Sequence, residues 1–175
     1  MNKRLLAAMA AGGLVLSGPL MAAEDGELAV GAGAESQGSL EVMLQIPDMI
    51  RVSGFENVDL EFDDNTENFT GSNDLCVFRN ITGEYAVTAS STNGDGAFEL
   101  SDGDASTVPY SVEWAGQGLD EDTALTGLDD ADTSSPNCNG GTNVVMDLLA
   151  TGDDVAAADT TDDHTDTLTV MVQAE

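Results

Sequence analysis

Residues 39–46, SLEVMLQI, place Leu40, Val42, Leu44 and Ile46 at every second position. Successive side chains of an extended chain point to opposite sides, so these four share a face and predict a half-buried strand. Ser39, Glu41 and Gln45 take the other face with Met43 as the exception, and Pro47 removes a ladder donor and ends the run. The same period of two recurs downstream. Ile50 pairs in phase with Val52, and Val58 with Leu60 and Phe62, across a break at Gly54. Tyr85, Val87 and Ala89 form another set, Phe98 and Leu100 begin a short strand, and Val108, Tyr110, Val112 and Trp114 share a face. Residues 76–78, 144–149 and 166–172 complete the strand signals.

Between these runs the chain is polar. Residues 63–74, with Gly71, Ser72 and Asn73, read as a loop, and Asn93-Gly94, Asp95-Gly96 and Asp102-Gly103 are dipeptides that close hairpins. Residues 116–143 form a long acidic connection in which Leu119, Leu125 and Leu128 offer short strand anchors. No apolar set repeats at helical spacing, and residues 153–159 allow one helical turn at most. About eight short strands separated by frequent turns predict an all-β sandwich.

The first 22 residues do not belong to that domain. Lys3 and Arg4 precede an apolar run from Leu5 to Leu16, then Ser17, Gly18, Pro19 and the small residues Ala22 and Ala23, which is the layout of a signal peptide. The apolar run is shorter than the ~20 residues a membrane-spanning helix needs, so direct membrane insertion is not expected. The mature chain is then exported and soluble, with residues 23–38 as a flexible Gly-, Ala-, Ser- and Glu-containing extension, 39–47 as the first strand segment and 48–175 as one sandwich domain.

Charge narrows the partners. Beyond the leader only Arg51 and Arg79 stand against 33 acidic residues, and no lysine remains. Such a surface repels phosphate backbones and anionic lipid, so nucleic acid is not an expected partner. It reads as a solvated acidic coat suited to high salt, where the screening length falls to about 3 Å at 1 M.

Catalytic chemistry is poorly supplied. His164 is the single histidine and sits in a TDDHTD run beside the last strand, which argues for a surface position over a triad, and without lysine there is no Schiff-base nucleophile. No enzyme activity, cofactor or resident metal is expected. Asn93-Gly-Asp-Gly96 and Asp102-Gly-Asp104 have some of the spacing of calcium loops, but Ser91 stands where an EF-hand needs its first aspartate. Cys76 and Cys138 are the only cysteines, and in an exported chain an even count predicts one disulfide, tying the acidic connection to the start of the Tyr85 strand.

The last strand signal, with Leu168, Val170 and Val172 alternating with polar residues, stops just short of residue 175, so any further strand beside it must come from an N-terminal segment. The order Cys76, Ile81-Thr-Gly-Glu-Tyr85 with Val87, Val108-Pro-Tyr-Ser-Val-Glu-Trp114, Cys138 and the closing Asp166-Thr-Leu-Thr-Val170 resembles the spore coat protein U family, which includes subunits of archaic chaperone-usher pili. The resemblance spans residues 39–172 and departs from the family pattern at Asp162 and His164, where the closing motif usually has glycine and tyrosine. It implies an incomplete immunoglobulin-like sandwich that is completed by a donor strand. In that arrangement Leu40, Val42, Leu44 and Ile46 are the donor plugs, and Leu168, Val170 and Val172 lie beside the acceptor groove. The implied partners are identical or related pilin subunits, a periplasmic chaperone and an outer-membrane usher, with passage through the periplasm to a cell-surface fimbria serving adhesion or biofilm formation. The residues taken alone also suit a monomeric secreted acidic β-sandwich of coat or matrix type, or a calcium-dependent carbohydrate binder.

Overall fold

The structure is a computed structural model and describes residues 24–104, 106–158 and 163–175; the predicted leader and Asp162 lie outside them. The chain divides between Ile46 and Pro47 into two units. In the first, Glu24 and Ser39 exchange main-chain hydrogen bonds of 2.9 Å, and Ala34 N–H closes a turn onto the Gly31 carbonyl at 3.2 Å. Residues 40–46 have no ladder partner among the described residues, and the strand predicted there is not formed.

The second unit is an all-β sandwich, as the alternation predicts. Its larger sheet is built from β1 (Ile50–Ser53), β2 (Glu61–Asp63), β3 (Asn68–Arg79), β7 (Ser111–Trp114), β8 (Gln117–Leu119) and β10 (Val144–Ala150). These run in the order β1-β3-β10-β7-β8, with β2 also paired to β3. The facing sheet has β4 (Tyr85–Ser91) between β9 (Leu125–Leu128) and β11 (Leu168–Ala174), and β5 (Glu99–Ser101) pairs with β6 (Thr107–Pro109) as a small ribbon. All these ladders are antiparallel. Numbered by sequence, β1, β3, β10 and β7 occupy the places of strands A, B, E and D of an immunoglobulin sandwich, and β4 and β11 those of C and F.

The predicted alternation marks the core. Tyr85, Val87, Ala89, Val108, Tyr110, Val112 and Trp114 are all buried and share one core with Leu75, Val77, Val144 and Met146. Inside it, Trp114 Nε1–H donates to the Tyr85 hydroxyl at 3.1 Å, which donates to Asp130 Oδ1 at 2.6 Å, so one polar chain joins the two sheets through an apolar interior. Each buried donor in that chain has an acceptor, which burial requires.

Other expectations change as well. The polar stretch 63–74 is a loop only in part, because Asn68 onward belongs to β3, a strand of 12 residues held by its ladders to β10, β1 and β2. Pairing overrides composition there. The run 108–114 is two strands, since Pro109 ends the ribbon with β5 and the chain crosses at Tyr110 to pair β7 with β10. The helix α1 (Gly152–Ala157) has six residues and exceeds the one turn expected, capped by Thr151, whose hydroxyl accepts from Asp154 N–H at 3.2 Å. The strands number eleven among the described residues, against about eight expected.

The Cys76–Cys138 disulfide is formed, with a Cα separation of 5.9 Å. It holds the acidic connection to the middle of β3, and not to the start of the Tyr85 strand. Asn143 reinforces the same join, accepting from Val77 N–H at 2.8 Å and donating to the Val77 and Asp130 carbonyls at 2.9 and 2.7 Å. The cysteines are 62 residues apart, so reduction frees a long loop in the unfolded chain. Urea unfolding with and without reductant is expected to differ by about 4 kcal/mol; overlapping curves would mean that the Asn143 bonds alone fix this connection.

Candidate functional site

Among the described residues, the edge of β11 turned away from β4 has no ladder partner. Strand G of a complete immunoglobulin sandwich pairs at that edge. Along β11 every second residue, Leu168, Val170, Val172 and Ala174, is half-buried, and Thr169, Met171 and Gln173 are exposed. β1 approaches β11 from the other sheet without bonding to it.

The gap beside β11 continues as a groove of about 340 Å³. Leu168 and Val170 line it from β11, and Phe55, Val58 and Leu60 line it from the connection between β1 and β2. Met146 and Leu148 contribute from β10, with Leu100 and Tyr110 beside them. Val172 packs on the core in register with Val87 but does not line this groove.

Two glycines shape the connection. Gly54, at φ 101°, turns the chain off the β1 ladder, a conformation that a side chain disfavours. Gly71 lets the chain come close, since a Cβ there would stand 2.4 Å from Val58 Cγ1 and 3.0 Å from Leu60 Cδ2. The groove's far end is polar. Asp166 Oδ2 accepts from the Tyr110 hydroxyl at 2.6 Å, and Oδ1 accepts from Thr92 and Asn93 N–H at 3.0 and 3.3 Å. Burial, and then the bond to Asp166, push the Tyr110 phenol well above its ordinary range, so it is a neutral donor there.

The plug candidates Leu40, Val42, Leu44 and Ile46 are exposed by 72, 84, 79 and 66%. Four aliphatic side chains in alternation, all in water, are an apolar surface without a partner in their own unit. Sequence reasoning found this segment and β11 but not Phe55, Val58, Met146 or Leu148 as groove residues. No local signal marks them, because they meet only once the sheets are stacked.

Other polar motifs are spent locally. Asn93 Nδ2 donates to the Thr165 carbonyl at 2.7 Å and the Glu99 carbonyl at 3.3 Å, and Asp102 Oδ1 accepts from Asp104 and Ser106 N–H at 2.8 and 3.3 Å. His164 Nε2 lies 2.9 Å from Ser106 Oγ. Glu121 is buried and accepts from Ser91 and Gly96 N–H at 3.0 and 2.8 Å, closing the 91–96 turn. No family model matches the chain, and no curated protein matches it.

Proposed function

We propose that the chain is a structural subunit of a surface fibre, polymerising by donor-strand exchange. The groove between β11 and the 55–60 connection takes residues 39–46 of another copy. The observation that carries this reading is the coexistence in one chain of an apolar groove beside an unpaired strand edge and an exposed alternating segment with no strand partner. Strand addition answers both, since main-chain bonds run along the free edge and alternate side chains enter the groove. Burying four aliphatic side chains at roughly 1.5 to 3 kcal/mol each gives about 6 to 12 kcal/mol before ordering costs. One donor and one groove per copy make the contact head-to-tail and open-ended, so the product is a linear fibre.

The resemblance to spore coat U-type pilins agrees with this reading and adds its finer parts: a periplasmic chaperone that holds the groove open, an outer-membrane usher, and a surface fimbria used in adhesion or biofilm formation. The reading requires no catalysis and no cofactor. Purified export material is expected to run on unboiled gels as a ladder of multiples that collapses to one band on boiling. A single band in both lanes would favour the monomeric secreted acidic sandwich.

A further inference from the structure

Arg79, the last residue of β3, is 4% exposed, and its guanidinium is shared among three parts of the chain. Nε–H donates to Asp48 Oδ1 at 3.3 Å and Nη2–H to Asp48 Oδ2 at 2.8 Å. Nη2–H also donates to the main-chain oxygen of Glu175 at 2.9 Å, and Nη1–H donates to the Glu84 carbonyl. Glu175 follows β11 directly, and its N–H donates to the same Glu84 carbonyl at 2.9 Å. Next to it, Asn80 brackets the neighbours of Asp48, with Nδ2–H donating to the Pro47 carbonyl at 2.8 Å and Oδ1 accepting from Met49 N–H at 2.7 Å. The Asn80 N–H in turn donates to the Met49 carbonyl at 3.1 Å.

One buried cation therefore holds both the C-terminal end of β11, whose other end flanks the groove, and Asp48, two residues beyond the 39–46 segment, while Asn80 holds Pro47 and Met49 beside it. We propose that Arg79 couples the two: a strand seated against β11 orders the root of the same chain's own donor segment. The inference rests on the acceptor reading above. Pairing along the free edge suppresses fraying of the last residues of β11 and so fixes the Glu175 and Glu84 oxygens. A planar guanidinium held by those two acceptors presents its remaining N–H groups to Asp48 in one orientation, and its bidentate grip depends on that orientation. The coupling is reciprocal, so a fixed root raises the affinity of the groove for its strand. In a growing fibre, the copy that has just received a strand is then the one whose own donor segment is best presented.

The test uses the full chain carrying Leu44→Asp, which cannot donate to other copies, with synthetic SLEVMLQI peptide as the probe and hydrogen exchange as the readout. Peptide is expected to slow exchange along residues 168–174 and, about fivefold, along 47–53. In the same chain with Asp48→Ala, which cuts only the arm side of the clamp, slowing along 168–174 is expected to persist, the response at 47–53 to vanish, and peptide affinity to fall about fivefold. An equal response at 47–53 with and without Asp48, or none at 47–53 while 168–174 is slowed, overturns the coupling. No slowing at 168–174 in either chain means the groove takes no such strand, and the acceptor reading fails together with the coupling.

Discussion

A Leu44→Asp chain is expected to stay monomeric and folded under conditions where the native chain forms multiples. Leu44 is exposed and is not among the core residues of the sandwich, so the substitution leaves the buried core untouched. In a joint between copies the situation reverses. The exchange loses the roughly 1.5 to 3 kcal/mol of one buried leucine and must desolvate a carboxylate against Met146, Leu148 and Val170, at a cost of several kcal/mol more. The sum corresponds to a weakening of at least about a thousandfold. Sedimentation of the purified variant beside the native chain reads this directly. Multiples of unchanged size from the variant would remove residues 39–46 from the proposed joint. A variant that failed to fold would instead show that the segment belongs to its own domain.

The second large effect is alkaline. The chain has two tyrosines, and both phenols are buried and pushed well above their ordinary value of 10.0. Burial is the first cause for each, followed by the bonds that Tyr85 gives to Asp130 and Tyr110 to Asp166. The neutral phenol is the folded form, while the unfolded chain begins to lose its phenolic protons near pH 10. Above that pH the native state binds more protons than the unfolded one, so stability falls as pH rises. Each tyrosine contributes a slope of about 1.4 kcal/mol per pH unit, and the pair removes roughly 4 to 5 kcal/mol between pH 10 and pH 12. Composition isolates the signal, because beyond the leader the chain has no lysine and both cysteines are in the disulfide. Urea midpoints should therefore hold through pH 9 and drop steeply beyond 10, with phenolate absorbance appearing only on unfolding. A midpoint unchanged at pH 12, or phenolate appearing in the folded chain near pH 10, would contradict the buried placement of these rings.

The sequence made the core face readable and left the groove obscure, for physical reasons that particular residues illustrate. Tyr85, Val87, Ala89, Val112 and Trp114 alternate with polar neighbours because one side of each strand meets the core and the other meets water. The first half of β3 hides this signature. Its inward positions include Gly71 and Asn73, where Val58 and Leu60 crowd the glycine and the asparagine amide donates to the Glu56 carbonyl at 3.0 Å. A strand whose inner face meets a crossing chain segment needs small and polar residues there, and reads as loop. The disulfide pairing was legible from the count of cysteines, but its seat on β3 was not, because residues 68–74 at the start of that strand are mostly polar and carry no apolar alternation. The groove residues come from five separated stretches, so only stacking of the sheets assembles them.

Among the described residues, the outer margin of β11 is unpaired. Main-chain donors and acceptors do not discriminate among sequences, so any extended peptide that reaches that margin is offered the same bonds. In dilute buffer, mutual repulsion among acidic molecules keeps copies of this chain apart, and so opposes the proposed donor as much as any other acidic chain. In brine that guard shrinks to a few ångströms, and the choice of occupant falls to the shape of the cleft lined by Phe55, Val58 and Val170. In the proposed fibre, joints between these acidic copies are thus expected to form more readily as salinity rises, with fit in the cleft setting which strand is kept.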